Sequence, residues 1–160
     1  MKFVDELQNY LKARYPLILI KSTEEDRLTM DLKLVAQTLG HDLITWSIAS
    51  GLKSENKQFV IGTVEPKKAI DTCESIAKTD KPTIFVFYDI VPVISSQQTG
   101  AIYQRRLKEF ALNIRTNGYR CNCILVSSKS EIDGSINSEI TVLDYPLPNR
   151  QEVSEQISKF

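Results

Sequence analysis

The chain has 160 residues, of which 42% are hydrophobic and 25% charged, so it can bury a core without disulfides or metal. Its 20 Lys and Arg residues balance 20 Asp and Glu residues, and the basic excess typical of nucleic-acid binding is missing. The longest apolar runs, Leu17–Ile20 and Ile84–Tyr88, are far shorter than the roughly 20 residues of a membrane-spanning helix. We therefore expect one globular domain over residues 1–160, without a nucleic-acid or membrane partner.

Helical and extended patterns alternate along the chain. Apolar residues at helical spacing predict helices over about Lys2–Ala13, from Ser22 to Gly40, from Pro66, over about Ala101–Thr116 and from Pro148. Runs rich in apolar and β-branched residues predict strands at Leu17–Lys21, Leu43–Ile48, Thr83–Tyr88, Cys121–Val126 and Ile140–Asp144. The stretch Ala49–Glu65 is irregular, and we expect a loop there. This alternation predicts an α/β domain with a doubly wound, five-stranded parallel sheet.

The end of the first strand is where a P-loop NTPase carries its glycine-rich phosphate cradle and lysine. None of the six glycines is followed by lysine, so the motif G-x-x-x-x-G-K is missing from these 160 residues. Ser22-x-x-Glu25 instead predicts a capping box, and Glu24 and Glu25 place negative charge at the helix N-terminus. Such acids stabilise a helix start and repel a phosphate.

Two other strand ends carry polar residues at the edge where open α/β sheets bind ligands. Asp89 follows Thr83–Tyr88 in the form of a Walker B aspartate, but Ile90 stands where the catalytic glutamate would be. Ser127 and Ser128 end the next strand, at a position where a sensor residue of the AAA type would usually be asparagine. Simple structural functions account for both: a strand-end aspartate and loop-initiating serines.

The remaining candidate residues are interpreted as structural. The cysteines Cys73, Cys121 and Cys123 have no metal-binding or disulfide spacing, so we expect reduced thiols. His41 has no nucleophilic partner in the sequence pattern, and Trp46 is expected to fill core. A basic cluster on the fourth predicted helix is expected to be a solvated face, with partner binding as the alternative; it comprises Arg105, Arg106, Lys108 and Arg115.

Several segments together resemble a known family. These are Tyr15–Ile20, Glu24–Arg27, Trp46-Ser47, Glu139–Val142 and Pro146–Glu152. In this order they resemble the N-terminal part of the uncharacterised AAA ATPases of cyanobacteria and red-algal plastids. The chain departs from that pattern at Asn149, where the family tends to have Asp, and at Ala49–Leu52.

The resemblance implies a degenerate AAA-like domain with sheet order 5-1-4-3-2 and an extra N-terminal helix. It implies that this chain holds no cofactor and that ATP and magnesium belong to a C-terminal AAA module absent here. Ser22, Glu25, Asp89 and Ser128 would be vestigial positions of a lost nucleotide site, with no catalytic or metal-binding residue. The implied partners are that module, neighbouring subunits and a protein partner or substrate, in a plastid stroma or a bacterial cytoplasm.

A receiver-like phosphoacceptor domain is the alternative function. In that reading Glu24 and Glu25 hold Mg²⁺, Asp89 is phosphorylated, and Ser127 or Ser128 supplies the hydroxyl. Tyr145 stands where the receiver lysine is expected, which counts against it. Sheet order separates the two, because receivers have order 2-1-3-4-5.

Overall fold

A computed structural model describes residues 2–54, 62–129, 132, 134–147 and 157, in which six strands form one mixed sheet with helices on both faces. The helices are α1 (Phe3–Lys12), α2 (Glu25–Leu39), α3 (Pro66–Ala77), α4 (Val91–Ile94) and α5 (Gly100–Asn117), with a 3₁₀ helix at Ser135–Glu139. The strands are β1 (Leu17–Lys21), β2 (Asp42–Ser47), β3 (Gly51–Ser54), β4 (Thr83–Tyr88), β5 (Cys121–Ser127) and β6 (Thr141–Asp144). Among these helices, none combines the length and apolar character needed to cross a bilayer.

The sheet order is β3-β2-β4-β5-β1-β6, and all neighbours are parallel except β2 and β3. The five predicted strands therefore lie in the AAA-like order, and the receiver order is wrong. The prediction of a wholly parallel five-stranded sheet is also wrong. Part of the predicted loop, Gly51–Ser54, folds back as an antiparallel edge strand, because Ile48–Ser50 form a three-residue hairpin connection.

Two apolar cores lie on the two faces of the sheet. Alternate residues of each central strand point to opposite faces, so Phe85 and Phe87 of β4 join one core while Ile84 and Val86 join the other. The first core is covered by α3 and α5, and the second by α1 and α2. Strands β1, β4 and β5 are almost wholly buried, as expected for a parallel sheet between helices.

The basic cluster on α5 is not a uniformly solvated face. Arg106 is largely buried and reaches α3, where its Nε lies 2.5 Å from Asp71 Oδ1 and its Nη2 lies 2.7 Å from Glu74 Oε1. The Asn113 amide donates to the other Glu74 oxygen at 2.8 Å. The expectation of a solvated run is therefore wrong for Arg106, which connects two helices through a partly buried charge network.

Two further predictions have different outcomes. All three cysteines are buried free thiols, as expected. The helix predicted from Pro148 lies outside the described residues apart from Ile157, which is helical and exposed.

We predict that Gly51→Ala destabilises the protein by about 2 kcal/mol or more. Gly51 has φ 70°, and an added Cβ would lie 2.7 Å from Thr63 Oγ1 and 3.0 Å from the Val64 backbone nitrogen. Gly40→Ala is the matched control, since Gly40 has the same φ of 70° but open space around its Cβ position. Chemical denaturation should show the larger loss for Gly51→Ala, and equal losses would contradict a steric contribution from Thr63.

Candidate functional site

The carboxyl ends of β1, β4 and β5 meet at one edge of the sheet, where open α/β folds bind ligands. Lys21 lies beside Ser127 in the register, and Tyr88 lies beside Val126. The Ser22 backbone N–H donates to the Ser127 carbonyl at 2.8 Å. The predicted positions Ser22, Glu25, Asp89 and Ser128 therefore follow neighbouring strand ends.

The connection from β1 to α2 has only three residues, 22–24. Within it, the Glu24 N–H donates to the Ser22 hydroxyl at 3.0 Å, which closes a small turn. The predicted capping box of Ser22 and Glu25 is wrong, because Glu24 is the N-cap of α2, Glu25 is its first residue, and the N-cap makes no side-chain hydrogen bond to the helix. The Ser22 hydroxyl instead accepts a hydrogen bond from the backbone N–H of the residue two positions later.

The edge carries negative charge. Partial burial raises the pKa of the Glu25 carboxyl above its ordinary value, and the charges of Asp89 and Asp26 raise it further. Asp89 is exposed and has a left-handed backbone with φ 58°, a conformation that aspartate tolerates. No group of three or more potential metal ligands occurs among the residues placed by the structure. The geometry thus brings carboxylates together at the start of α2 and the end of β4.

The serines at the end of β5 support the loop. Ser127 is buried, and its hydroxyl accepts a hydrogen bond from the Lys129 backbone N–H at 3.1 Å. Ser128 is exposed beyond the strand end. These contacts agree with the prediction that the serines begin a loop.

Sequence reasoning missed a contact between α2 and the chain after β6. The Arg27 guanidinium pairs with Glu24, donates to the Pro146 carbonyl and lies 4.2 Å from the centroid of the Tyr145 ring. The Tyr145 hydroxyl donates to Asp31 at 2.5 Å, and burial together with Asp31 raises the pKa of Tyr145 well above its ordinary value. Arg27 is therefore held against the two residues that follow β6.

His41 and Cys121 line one small cavity of about 130 Å³, a pairing that the sequence pattern did not indicate. Burial and Glu74 raise the pKa of the Cys121 thiol to about 12, while burial and Arg120 lower the pKa of His41. A thiol with this pKa supplies almost no thiolate at neutral pH. Burial thus favours the neutral forms of both groups.

A groove of about 480 Å³ lies between α2 and the β2–β3 hairpin, and we call it the α2 groove. Its walls combine apolar groups with charges of both signs, from Glu25, Asp26, Thr29, Met30, Lys33, Leu43, Thr45, Trp46, Ser47, Ser50, Gly51, Lys53, Ser54 and Tyr88. Trp46 is almost wholly buried, which confirms its predicted place in the core. The groove was not predicted, because β3 forms one of its walls.

The strand order and the polar edge define an AAA-type α/β fold. The AAA domain of FIGL-1 in complex with ADP superimposes with a TM-score of 0.67, over 91% of this chain and 47% of that one, at 15% identity. The Aeropyrum pernix ORC2 protein in its ADPNP-ADP complexes gives 0.62, over 98% and 49%, at 12% identity. At these identities the likeness establishes the fold.

The sequence comparisons identify the family within this class. The family model for the SpoVK-like AAA ATPase N-terminal domain matches residues 3–145, and the chain belongs to that family. Curated relatives include the uncharacterized AAA domain-containing proteins ycf46 of Trieres chinensis, 26% identical over 99% of this chain, and of Pyropia yezoensis, 27% identical over 98%. The chain spans 31% of the length of each. The predicted resemblance is confirmed.

Proposed function

We propose that this chain is a non-catalytic AAA-like domain that serves assembly or partner binding within a longer ATPase. The observation that carries the proposal is the connection of only three residues between β1 and α2, with acids at the start of the helix that follows. A Walker A loop places about six residues from its first glycine to its second, so that bare backbone N–H groups can surround the phosphates. A three-residue connection is too short for such a loop.

Electrostatics support the same proposal. Glu24 directly precedes α2, Glu25 and Asp26 lie in its first turn, and the Asp89 charge acts on Glu25. Carboxylates at a helix N-terminus use the positive end of the dipole that would otherwise attract a phosphate. Ser22, Glu25, Asp89 and Ser128 would then be vestigial positions that hold neither nucleotide nor magnesium.

The relatives' greater length leaves room for the catalytic function elsewhere. In our proposal a C-terminal AAA module of the parent protein binds ATP and magnesium. The present domain contacts that module, neighbouring subunits, or a protein partner or substrate. The protein would act in a plastid stroma or a bacterial cytoplasm.

The test uses the parent protein with Asp89→Asn in this domain. If Asp89 is vestigial, the ATP hydrolysis rate should stay within about twofold of the unchanged protein. The control replaces the Walker A lysine of the proposed C-terminal module, which should abolish hydrolysis. A tenfold or greater loss on Asp89→Asn, in a protein whose circular dichroism is unchanged, would overturn the proposal.

A further inference from the structure

Exposed apolar side chains flank the α2 groove. Met30 and Leu34 on α2 are 65% and 51% exposed, and Ile48 in the β2–β3 connection is 56% exposed. Met30 also lines the groove itself. Clustered exposed apolar residues of this kind mark interaction surfaces.

Charges of both signs accompany these apolar groups. Glu25 and Asp26 lie at the N-terminal end of α2, while Lys33 lies about 10 Å further along the helix axis. Lys53 stands on the facing strand, opposite Thr45 in the register. Within the described part of the chain, none of these four forms an ion pair. The groove therefore has an acidic end and a lysine-containing region separated by Met30.

We propose that the α2 groove binds the α2 helix of a second copy of this chain in a two-fold symmetric dimer. The two α2 helices run antiparallel and cross near Met30. Each exposed apolar ridge packs into the other copy's groove. Asp26 of each copy then faces Lys33 of the partner copy, so that the contact occurs twice.

The order of the charges favours a second copy as the occupant. A segment carrying only basic residues would be repelled by Lys33 and Lys53, and an acidic one by Glu25 and Asp26. A ligand that satisfies all four must carry both signs in the reverse order around an apolar centre. The exposed face of α2 itself carries Asp26, then Met30, then Lys33, so an antiparallel α2 helix presents this pattern in the reverse order.

The dimer gives a concrete form to the assembly function proposed above, on which it rests. Sedimentation velocity on the 160-residue chain over a range of concentrations measures the equilibrium between monomer and dimer. The wild-type chain should dimerise. Asp26→Lys and Lys33→Asp should each weaken dimerisation about tenfold or more, because attraction becomes repulsion at two symmetric contacts. The double variant Asp26→Lys/Lys33→Asp should return to within about threefold of wild type, since both signs are exchanged.

The matched control is Arg105→Glu on α5, an exposed charge reversal outside the groove, which should leave dimerisation unchanged. A chain that stays monomeric at every concentration would overturn the inference, as would a double variant no better than the single ones. Circular dichroism verifies that each variant is folded. Nucleotide binding is measured separately, so ATP binding by a dimeric chain would contradict only the non-catalytic function.

Discussion

Arg106→Ala is expected to lower the free energy of unfolding by about 3 kcal/mol, the lower end of the range for breaking a buried ion pair. Arg106 is the positive centre between Asp71 and Glu74, and its side chain is 17% exposed, while that of Glu74 is 8% exposed. Removing the guanidinium leaves the Glu74 carboxylate buried, with the Asn113 amide as its one side-chain donor among the residues that the structure describes. The cost is mainly that of an uncompensated buried charge.

The double variant Arg106→Leu/Glu74→Leu is the control for this explanation. Replacing both partners by apolar residues leaves no unpaired Glu74 carboxylate in the interior, so the double variant should be markedly less destabilising than Arg106→Ala alone. Urea denaturation at pH 7 measures all three proteins. A loss below about 1 kcal/mol for Arg106→Ala would contradict a stabilising function for this network.

The same network predicts a dependence on pH. Burial acts to raise the pKa of Asp71, but hydrogen bonds and charges from Arg106 and Lys67 hold it below its ordinary value of 3.8. Stabilisation by a carboxyl with a lowered folded-state pKa is complete above 3.8 and is lost as the pH falls through the lowered value. Arg106→Ala should reduce this acid-dependent loss of stability.

Trp46→Ala is expected to cost about 4 kcal/mol, the magnitude typical of truncating a fully buried aromatic residue. Trp46 packs at 6.0 Å from the Phe87 ring, and its indole N–H donates to the Thr63 carbonyl at 2.7 Å. Thr63 in turn accepts a hydrogen bond from the Leu52 backbone N–H. The substitution therefore removes both a core side chain and the contact that holds Thr63 against the β2–β3 hairpin.

Trp46→Phe separates the two contributions. It retains most of the apolar volume and loses the hydrogen bond, so we expect a loss of about 1–2 kcal/mol. Thermal and chemical unfolding followed by circular dichroism measure both variants, because the chain has only one tryptophan and its fluorescence is lost. Equal losses for the two variants would show that the Thr63 contact, and not core volume, dominates.

The centre of the sheet was predictable because β1, β4 and β5 are apolar on both faces, and the helices that cover it have continuous apolar stripes. Strand β3 could not be predicted, because Gly51–Ser54 contains only one large apolar residue. Its pairing depends on the hairpin with β2 and on the hydrogen bond from the Leu52 N–H to the Thr63 hydroxyl. Ser22-x-x-Glu25 has the sequence of a capping box, but the serine hydroxyl closes a shorter turn. Local motifs allow competing hydrogen bonds, and tertiary context selects among them.

The candidate site was predictable as far as the strand ends. Ser22, Asp89 and Ser128 lie at the expected edge because parallel strands end together. The Arg27 contacts with Tyr145 and Pro146 join residues more than a hundred positions apart, and no local pattern indicates them. The burial of Arg106 likewise depends on how α5 packs against α3.

Isothermal titration calorimetry of the 160-residue chain with Mg-ATP tests the central claim most directly. The AAA domain of FIGL-1, whose structure contains ADP, serves as the positive control under the same conditions. We predict no binding heat from this chain, corresponding to a Kd weaker than about 1 mM. Micromolar binding would contradict the claim that the nucleotide site of this domain has been lost.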